Sequence, residues 1–151
     1  MNKQVFLDIL EEHGKLGFQE QIDYGKFCLY SIVTHSTAIE GSTMTEIDNQ
    51  LLFDEGISAK GKSIVEQNMN LDLKAAYERS MELARTHTPF SVGVLKHLSS
   101  LVMRRTGGVV NGMGGSFDSS RGDLRLVNVT AGAGGKTYLN YRRDWLFSVG
   151  K

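Results

Sequence analysis

Ser63-Ile64-Val65-Glu66-Gln67-Asn68-Met69-Asn70-Leu71-Asp72-Leu73-Lys74-Ala75-Ala76-Tyr77 is the stretch on which the reading of the fold turns. Ser63 followed three positions later by Glu66 has the form of a capping box, in which each side chain takes up a backbone N–H that the first helical turn leaves over. Behind it Met69, Leu73, Ala76, Tyr77, Met81 and Ala84 recur at helical spacing. The expectation is a long helix with one apolar stripe, its methionines serving as packing. Upstream, Thr45-Glu46-Ile47-Asp48 repeats the device and opens a short helix through Leu51, Leu52 and Phe53, closed by Gly56. Downstream, Thr88-Pro89 reads as the N-cap and first-turn pair of a helix through Phe90, Val94, Leu98, Leu101 and Val102, stopped by Gly107 and Gly108.

Further toward the start, residues 19–39 contain no proline and are apolar on nearly every side: Ile22, Phe27, Leu29, Tyr30, Ile32, Val33 and Ile39. A helix apolar all round is normally a buried one. It is expected to end at Gly41, which can take the left-handed conformation found just past helix ends. Val5, Phe6, Ile9 and Leu10 predict a first short helix before His13 and Gly14. Toward the end, residues 106–122 are polar and glycine-rich and read as a long exposed loop. Residues 124–130 and 136–141 roughly alternate, with Ala131-Gly132-Ala133-Gly134-Gly135 between them, which is a hairpin signal. The expected fold class is therefore mainly α, with one β-hairpin near the C-terminus. It is read as one domain over 1–151, with a helical region at 1–44, core helices at 45–106, and the loop and hairpin at 107–151.

Composition excludes several classes. Lys and Arg together number 17, as do Asp and Glu, so no long-range field favours nucleic acid or an anionic membrane. The single Cys28 rules out an internal disulfide and a Cys-based zinc site, in keeping with a reducing cytoplasm. No apolar run approaches the length of about 20 residues that a membrane span needs, and Met1-Asn2-Lys3 does not open a signal peptide. A soluble cytoplasmic protein is the expectation.

Glu40 is the residue that local rules explain least well. Leu29, Val33, Ser36 and Glu40 follow at spacings of four, three and four, so a carboxylate continues an apolar stripe. It also stands in the last helical turn, where the macrodipole disfavours negative charge by roughly 0.3–1 kcal/mol. Two explanations stay open on these grounds: an Arg or Lys partner from elsewhere, or a frayed helix end with Glu40 in water.

The stretch Ser36-Thr37-Ala38-Ile39-Glu40-Gly41 is similar to the inhibitory motif of the Fic (filamentation induced by cAMP) family: a Ser or Thr, three residues, then Glu followed by Gly or Asn. Extended to Ser42-Thr43-Met44-Thr45, it resembles the form placed on a helix ahead of the catalytic core. Further matches follow in family order: Gly61-Lys62, then Glu66, Asn70 and Ala75-Ala76, then Leu95-Lys96-His97-Leu98. Gly122, Arg125 and Val129 stand where the family has a Gly, an Arg and a Val leading into its flap, a β-hairpin beside the active site. The resemblance covers roughly residues 20–145. It implies a Fic-like helical bundle whose complete form transfers AMP from ATP, with magnesium, to hydroxyl groups of other proteins.

In that family the inhibitory glutamate pairs with an arginine that otherwise holds the terminal phosphates of ATP. The resemblance thus implies Ser36, Ile39, Glu40 and Gly41 as an inhibitory motif, and Arg125, Asn128, Thr130 and Tyr138 as flap positions where a target protein docks by adding a strand. The edges offered are 126–130 and 137–141. The departure is equally specific. The family's catalytic loop, His-Pro-Phe-x-x-Gly-Asn-Gly-Arg, does not occur among the 151 residues, and Asn111-Gly112-Met113-Gly114-Gly115 is only a superficial echo. With it go the general base, the acidic residue that holds magnesium and the phosphate-cradling turn. The expectation is therefore the regulatory front part of a self-inhibited AMP transferase, inert by itself, with no catalytic residue, metal or cofactor of its own. A non-catalytic partner or inhibitor acting by binding is the alternative, and a helical binding domain with coincidental matches is the third reading. A homodimer stays open.

Other signals are weaker. Gly134-Gly135-Lys136-Thr137 lacks the first glycine of a phosphate loop, since Thr130 stands in its place, and reads as a hairpin tip. His97 falls on the stripe Phe90, Val94, Leu101 and reads as a core histidine. His13, His35 and His87 show no metal spacing. Cys28 reads as an inert packer on a buried helix, and Arg142-Arg143 as a solvated pair.

Overall fold

The computed structural model describes residues 2–17, 23–112, 114–127, 129–131 and 136–138. The chain divides into two compact units, Met1–Lys60 and Gly61–Lys151. Among the described residues the fold is mainly helical, with five α-helices followed by two small antiparallel hairpins, one of them near the C-terminus.

The first unit holds α1 (Lys3–Lys15), α2 (Tyr24–Ile39) and α3 (Glu46–Glu55). The Asn2 side chain caps α1 by accepting from the Gln4 N–H. The helix continues through Gly14 to Lys15, past the stop expected at His13 and Gly14, and none of its side chains is buried. Asp23 caps α2 through the Lys26 N–H at 2.9 Å. The part of the expected second helix at 19–22 lies outside the described residues.

The inward face of α2 differs from the expectation of a helix buried all round. The face that α2 buries is Val33, Thr34 and Thr37, while Phe27, Ile32 and Ile39 are exposed, Ile39 to 84%. Cys28 is exposed too, so it is not a packing residue. The physical reason is that α2 packs chiefly along one side, against α3. Threonine suits that side because its hydroxyl can return to its own helix. Thr34 donates to the Tyr30 carbonyl at 2.8 Å and Thr37 to that of Val33 at 3.0 Å, leaving only methyl groups to bury.

The α3 helix matches the sequence expectation closely. The Thr45–Asp48 capping box is complete in both directions, and Gly56 closes the helix. Asn49 and Leu52 are its buried positions. At the far end from the Asn49 contact, Lys26 pairs with Asp54 at 2.7 Å, and the Tyr30 and Phe53 rings meet edge to face at 5.0 Å.

The second unit begins with α4 (Ile64–Arg85), opened by the complete Ser63–Glu66 capping box. Its stripe also differs from expectation: Ala76 is buried, but the other buried positions are Gln67, Asn70 and Asp72, and Met81 is exposed. Asp72 is wholly buried because it holds the chain beyond α5 (Val92–Val102) against α4. One carboxylate oxygen accepts the Arg105 backbone N–H at 2.6 Å and the other accepts from its guanidinium. The cap of α5 is Ser91, accepting from the Val94 N–H at 3.2 Å, not Thr88. Thr88 instead shares a hydrogen bond with Thr86 across the preceding turn, and Phe90 is 80% exposed. His97 is exposed on α5 and is not a core histidine.

Residues 106–122, expected to be an exposed loop, form a second hairpin. β1 (Val109–Gly112) pairs antiparallel with β2 (Gly115–Asp118), with Val109 opposite Asp118 and Gly112 opposite Gly115. A 3-10 turn, Ser119–Arg121, follows and packs on α5. Ser119 closes the base of the hairpin by exchanging hydrogen bonds with the N–H and carbonyl of Gly108, at 3.0 and 3.1 Å. Glycine content concealed the strands, because the pairing is backbone to backbone and needs no apolar alternation. The expected hairpin is present as β3 (Val129–Ala131) and β4 (Lys136–Tyr138), with Thr130 opposite Thr137, but residues 124–127, expected in its first strand, are not strand.

Gly122 joins the 3-10 turn to α5 at closest approach. Its φ is +71°, and a Cβ there would stand 1.9 Å from the Lys96 carbonyl oxygen. Backbone cannot retreat from such a contact, so Gly122→Ala is expected to destabilise the second unit by at least about 2 kcal/mol, through strain and overpacking together. Asp72→Ala is expected to cost about 3 kcal/mol, since it strands the donors of Arg105 at a buried carboxylate site. Urea unfolding of each variant, followed by circular dichroism, measures both.

Candidate functional site

Of the positions singled out by the sequence, Ser36, Ile39, Glu40 and Gly41 fall in the first unit and Arg125, Thr130 and Tyr138 in the second. Asn128 lies outside the described residues, as do 132–135 and 139–141.

The motif is built as a helix end. Ile39 is the last helical residue, Glu40 the cap, and Gly41 takes φ +93°. The Gly41 N–H donates to the Ala38 carbonyl at 3.0 Å, and the Ser42 N–H reaches back to that of Thr37 at 3.0 Å. These two bonds together are a Schellman motif, which satisfies carbonyls that the end of a helix leaves over. The left-handed residue it requires is the physical reason for Gly at position 41. Asn is the other residue that visits this region readily.

On either side of the cap the chain is anchored. Thr37, 1% exposed, lies under the last turn, and its carbonyl accepts from both Glu40 and Ser42. Ser42 and Met44 are buried just beyond, and the Ser42 hydroxyl accepts the Met44 N–H at 3.3 Å. Asn49 of α3 is wholly buried, and its amide donates to the Thr34 hydroxyl at 2.8 Å. Between these anchors Glu40 itself is exposed, and no described residue forms an ion pair with it. Ser36 is half-buried on the same face. The arrangement is a carboxylate held outward on an ordered helix end, not a frayed one.

Flap positions are seen through their backbone. Thr130 and Tyr138 stand on β3 and β4, with Tyr138 opposite Val129. The two strands form a sheet by themselves, so among the described residues each has one edge unpaired by a neighbouring strand. Arg125 is half-buried in the segment before β3.

A concavity of about 270 Å³ lies elsewhere, on the first hairpin, lined by Val109, Ser116, Phe117, Asp118, Arg121 and Asp123. Its charges are matched in place. Arg121 faces Asp118 at 3.4 Å, and Lys96 faces Asp123 at 3.6 Å. Among the described residues lining it, no cation is left over to hold phosphate. Among the described residues no three His, Cys, Asp or Glu side chains gather as a metal site, and no helix is long and apolar enough to cross a membrane.

Asn49, Thr34, Asp72 and Arg105 went unremarked in the sequence. The signal for Asn49 was faint: a polar residue one turn after Thr45 and three before the core residue Leu52, on the inward face of a short helix. Comparison of the chain with protein-family models, curated proteins and solved structures found no match.

The cap geometry gives a graded test. Gly41→Ala is expected to cost about 1 kcal/mol and to speed amide exchange at Ser42, whereas Gly41→Asn costs less, because Asn tolerates the left-handed region. Thermal unfolding and NMR exchange rates would separate the two variants.

Proposed function

We propose that this chain is the regulatory front part of a Fic-type protein AMP transferase, with Glu40 as its inhibitory residue and the β3–β4 hairpin as its target-docking flap. The observation that carries the proposal is the outward carboxylate of Glu40 on a Schellman-capped helix whose left-handed position is Gly41. A brake of this kind has to reach a guanidinium on another part of the protein. A rigid helix end with its acid directed into solvent suits that task. The charge-assisted pair it would form competes directly with Arg–phosphate contact, so ATP would be held badly while the brake is on. Gly122, one of the positions matched to the family, has a steric role here that admits no side chain. The unpaired edges of β3 and β4 suit strand addition by a target segment.

The residues present do not fit magnesium. The family's acidic ligand belongs to the His-Pro-Phe loop, which is not among the 151 residues. No step of AMP transfer is therefore assigned to this chain, and ATP and magnesium belong to the complete protein. A cytoplasmic location is part of the same reading, resting on the single exposed Cys28. The second reading is a non-catalytic partner that offers Glu40 in trans to a related enzyme, and the exposure of Glu40 suits it equally.

Incubation of the chain with ATP and magnesium is expected to leave its mass unchanged. Attachment of AMP to it, or to an added target, would sink the proposal that it is inert alone. In the protein that carries the catalytic loop, Glu40→Gly is expected to raise self-modification about tenfold or more, as for loss of one charge-assisted hydrogen bond. An unchanged rate would remove Glu40 from the inhibitory role. Titrating the chain into a related enzyme distinguishes the trans reading, which requires its activity to fall.

A further inference from the structure

We infer that Asn49 and Thr34 are positioning residues for Glu40, forming a buried polar clamp on which the setting of the brake depends. This rests on the reading of Glu40 as inhibitory. The geometry leads from one to the other in short steps. Asn49, with no exposed surface, stands on α3 and donates its amide to the Thr34 hydroxyl at 2.8 Å. Thr34 turns that hydroxyl's own proton to the Tyr30 carbonyl, also at 2.8 Å, so its rotamer is set from two helices at once. One turn later Thr37 is buried and donates to the carbonyls of Val33 and Thr34. The Thr37 carbonyl in turn accepts the N–H groups of Glu40 and Ser42, the two bonds that orient the cap.

Apolar packing alone would not set the helix this way. Along the buried side of α2 only Val33 is an apolar core residue, and packing of that kind tolerates sliding and rotation about the helix axis. A hydrogen bond between two fixed side chains specifies one register. Glu40 lies on the turn beyond, so a small rotation of α2 displaces its carboxylate from any guanidinium it must meet. Being buried, the clamp is shielded from competition with water, and its loss leaves a polar group without its partner.

The test has two arms. In the chain itself, NMR measures amide exchange at Ser42 in the wild type, Thr34→Val, Thr34→Ser and Asn49→Ala. Thr34→Val keeps the side-chain shape and lacks the hydroxyl. It is expected to speed Ser42 exchange about tenfold, the effect of one lost buried hydrogen bond, while α4 amides stay unchanged. Thr34→Ser, which keeps the hydroxyl, retains the wild-type rate. Should Asn49→Ala fail to fold, Thr34→Val decides this arm by itself. Unchanged Ser42 protection in Thr34→Val overturns the clamp.

In the protein that carries the catalytic loop, Thr34→Val is expected to raise AMP transfer, Thr34→Ser to leave it at the wild-type rate, and Thr34→Val to add nothing in a Glu40→Gly background. A full further increase in that background means that Thr34 acts by another route, and overturns the proposal. No change on Glu40→Gly alone overturns the brake reading and with it the function of the clamp. The exchange data tell that outcome apart from a clamp that does not exist.

Discussion

The hydrogen bond from Asn49 to Thr34 is a buried polar tie between α2 and α3, set inside the more exposed contacts Lys26–Asp54, Tyr30–Asp54 and His35–Glu46. Among the described residues, the buried apolar side chains of the first unit are Val33, Met44 and Leu52, a small core for a segment of this length. Short chains bury a lower fraction of their surface than long ones, and a buried hydrogen bond between two helices supplies register that a small apolar core does not. The rest of the unit follows from it. With Thr34 held, the next turn places Thr37 under the cap, and the cap leaves Glu40 outside. The same stretch then descends through Ser42 and Met44 to the Thr45 capping box, which starts α3 and returns the chain to Asn49.

The second unit is organised on the same principle with a charge in place of an amide. Asp72 is wholly buried on α4, and Arg105 meets it with both backbone and side chain. A buried carboxylate left without donors is costly, so the turn after α5 is constrained to come back to α4. From there Gly108 and Ser119 close the first hairpin, and Gly122 brings the 3-10 turn against the backbone of α5. Backbone contact at that distance is available to glycine alone. The described part of the glycine-rich stretch is thus folded, paired as β1–β2 and packed through its 3-10 turn on α5.

Within this frame Glu40 has two descriptions that agree. As local structure, Glu40-Gly41 is the cap and left-handed residue of a Schellman motif. As a charged group, Glu40 is the sole acid at the end of α2, exposed and held on an anchored turn. The need for Gly at position 41 follows from its φ of +93°, a region that Asn is the next most ready to visit. Asn49 on α3 was invisible to motif reading because its partner Thr34 stands 15 positions away and neither side chain carries chemistry of its own.

Starts and stops of helices were legible in the sequence wherever they depend on neighbours within four residues. Both capping boxes belong to this class, and the ends at Gly41 and Gly56 and the β3–β4 hairpin reach only a little further along the chain, through hydrogen bonds and backbone sterics that turn residues specify. The Thr88–Pro89 start failed because Ser91 competes for the N-cap role three residues after Thr88, and local rules do not rank the two. Which face each helix buries was decided only in the tertiary structure. An apolar side chain records a tendency to be covered but not by what, so Phe27, Ile32 and Met81 face outward, while Asn49, Asn70 and Asp72 go inside. Burial of a polar group is favourable only when its partner arrives, and for Asn49 and Asp72 the partners are 15 and 33 residues away. Periodicity over a few turns of helix holds no record of contacts at that range.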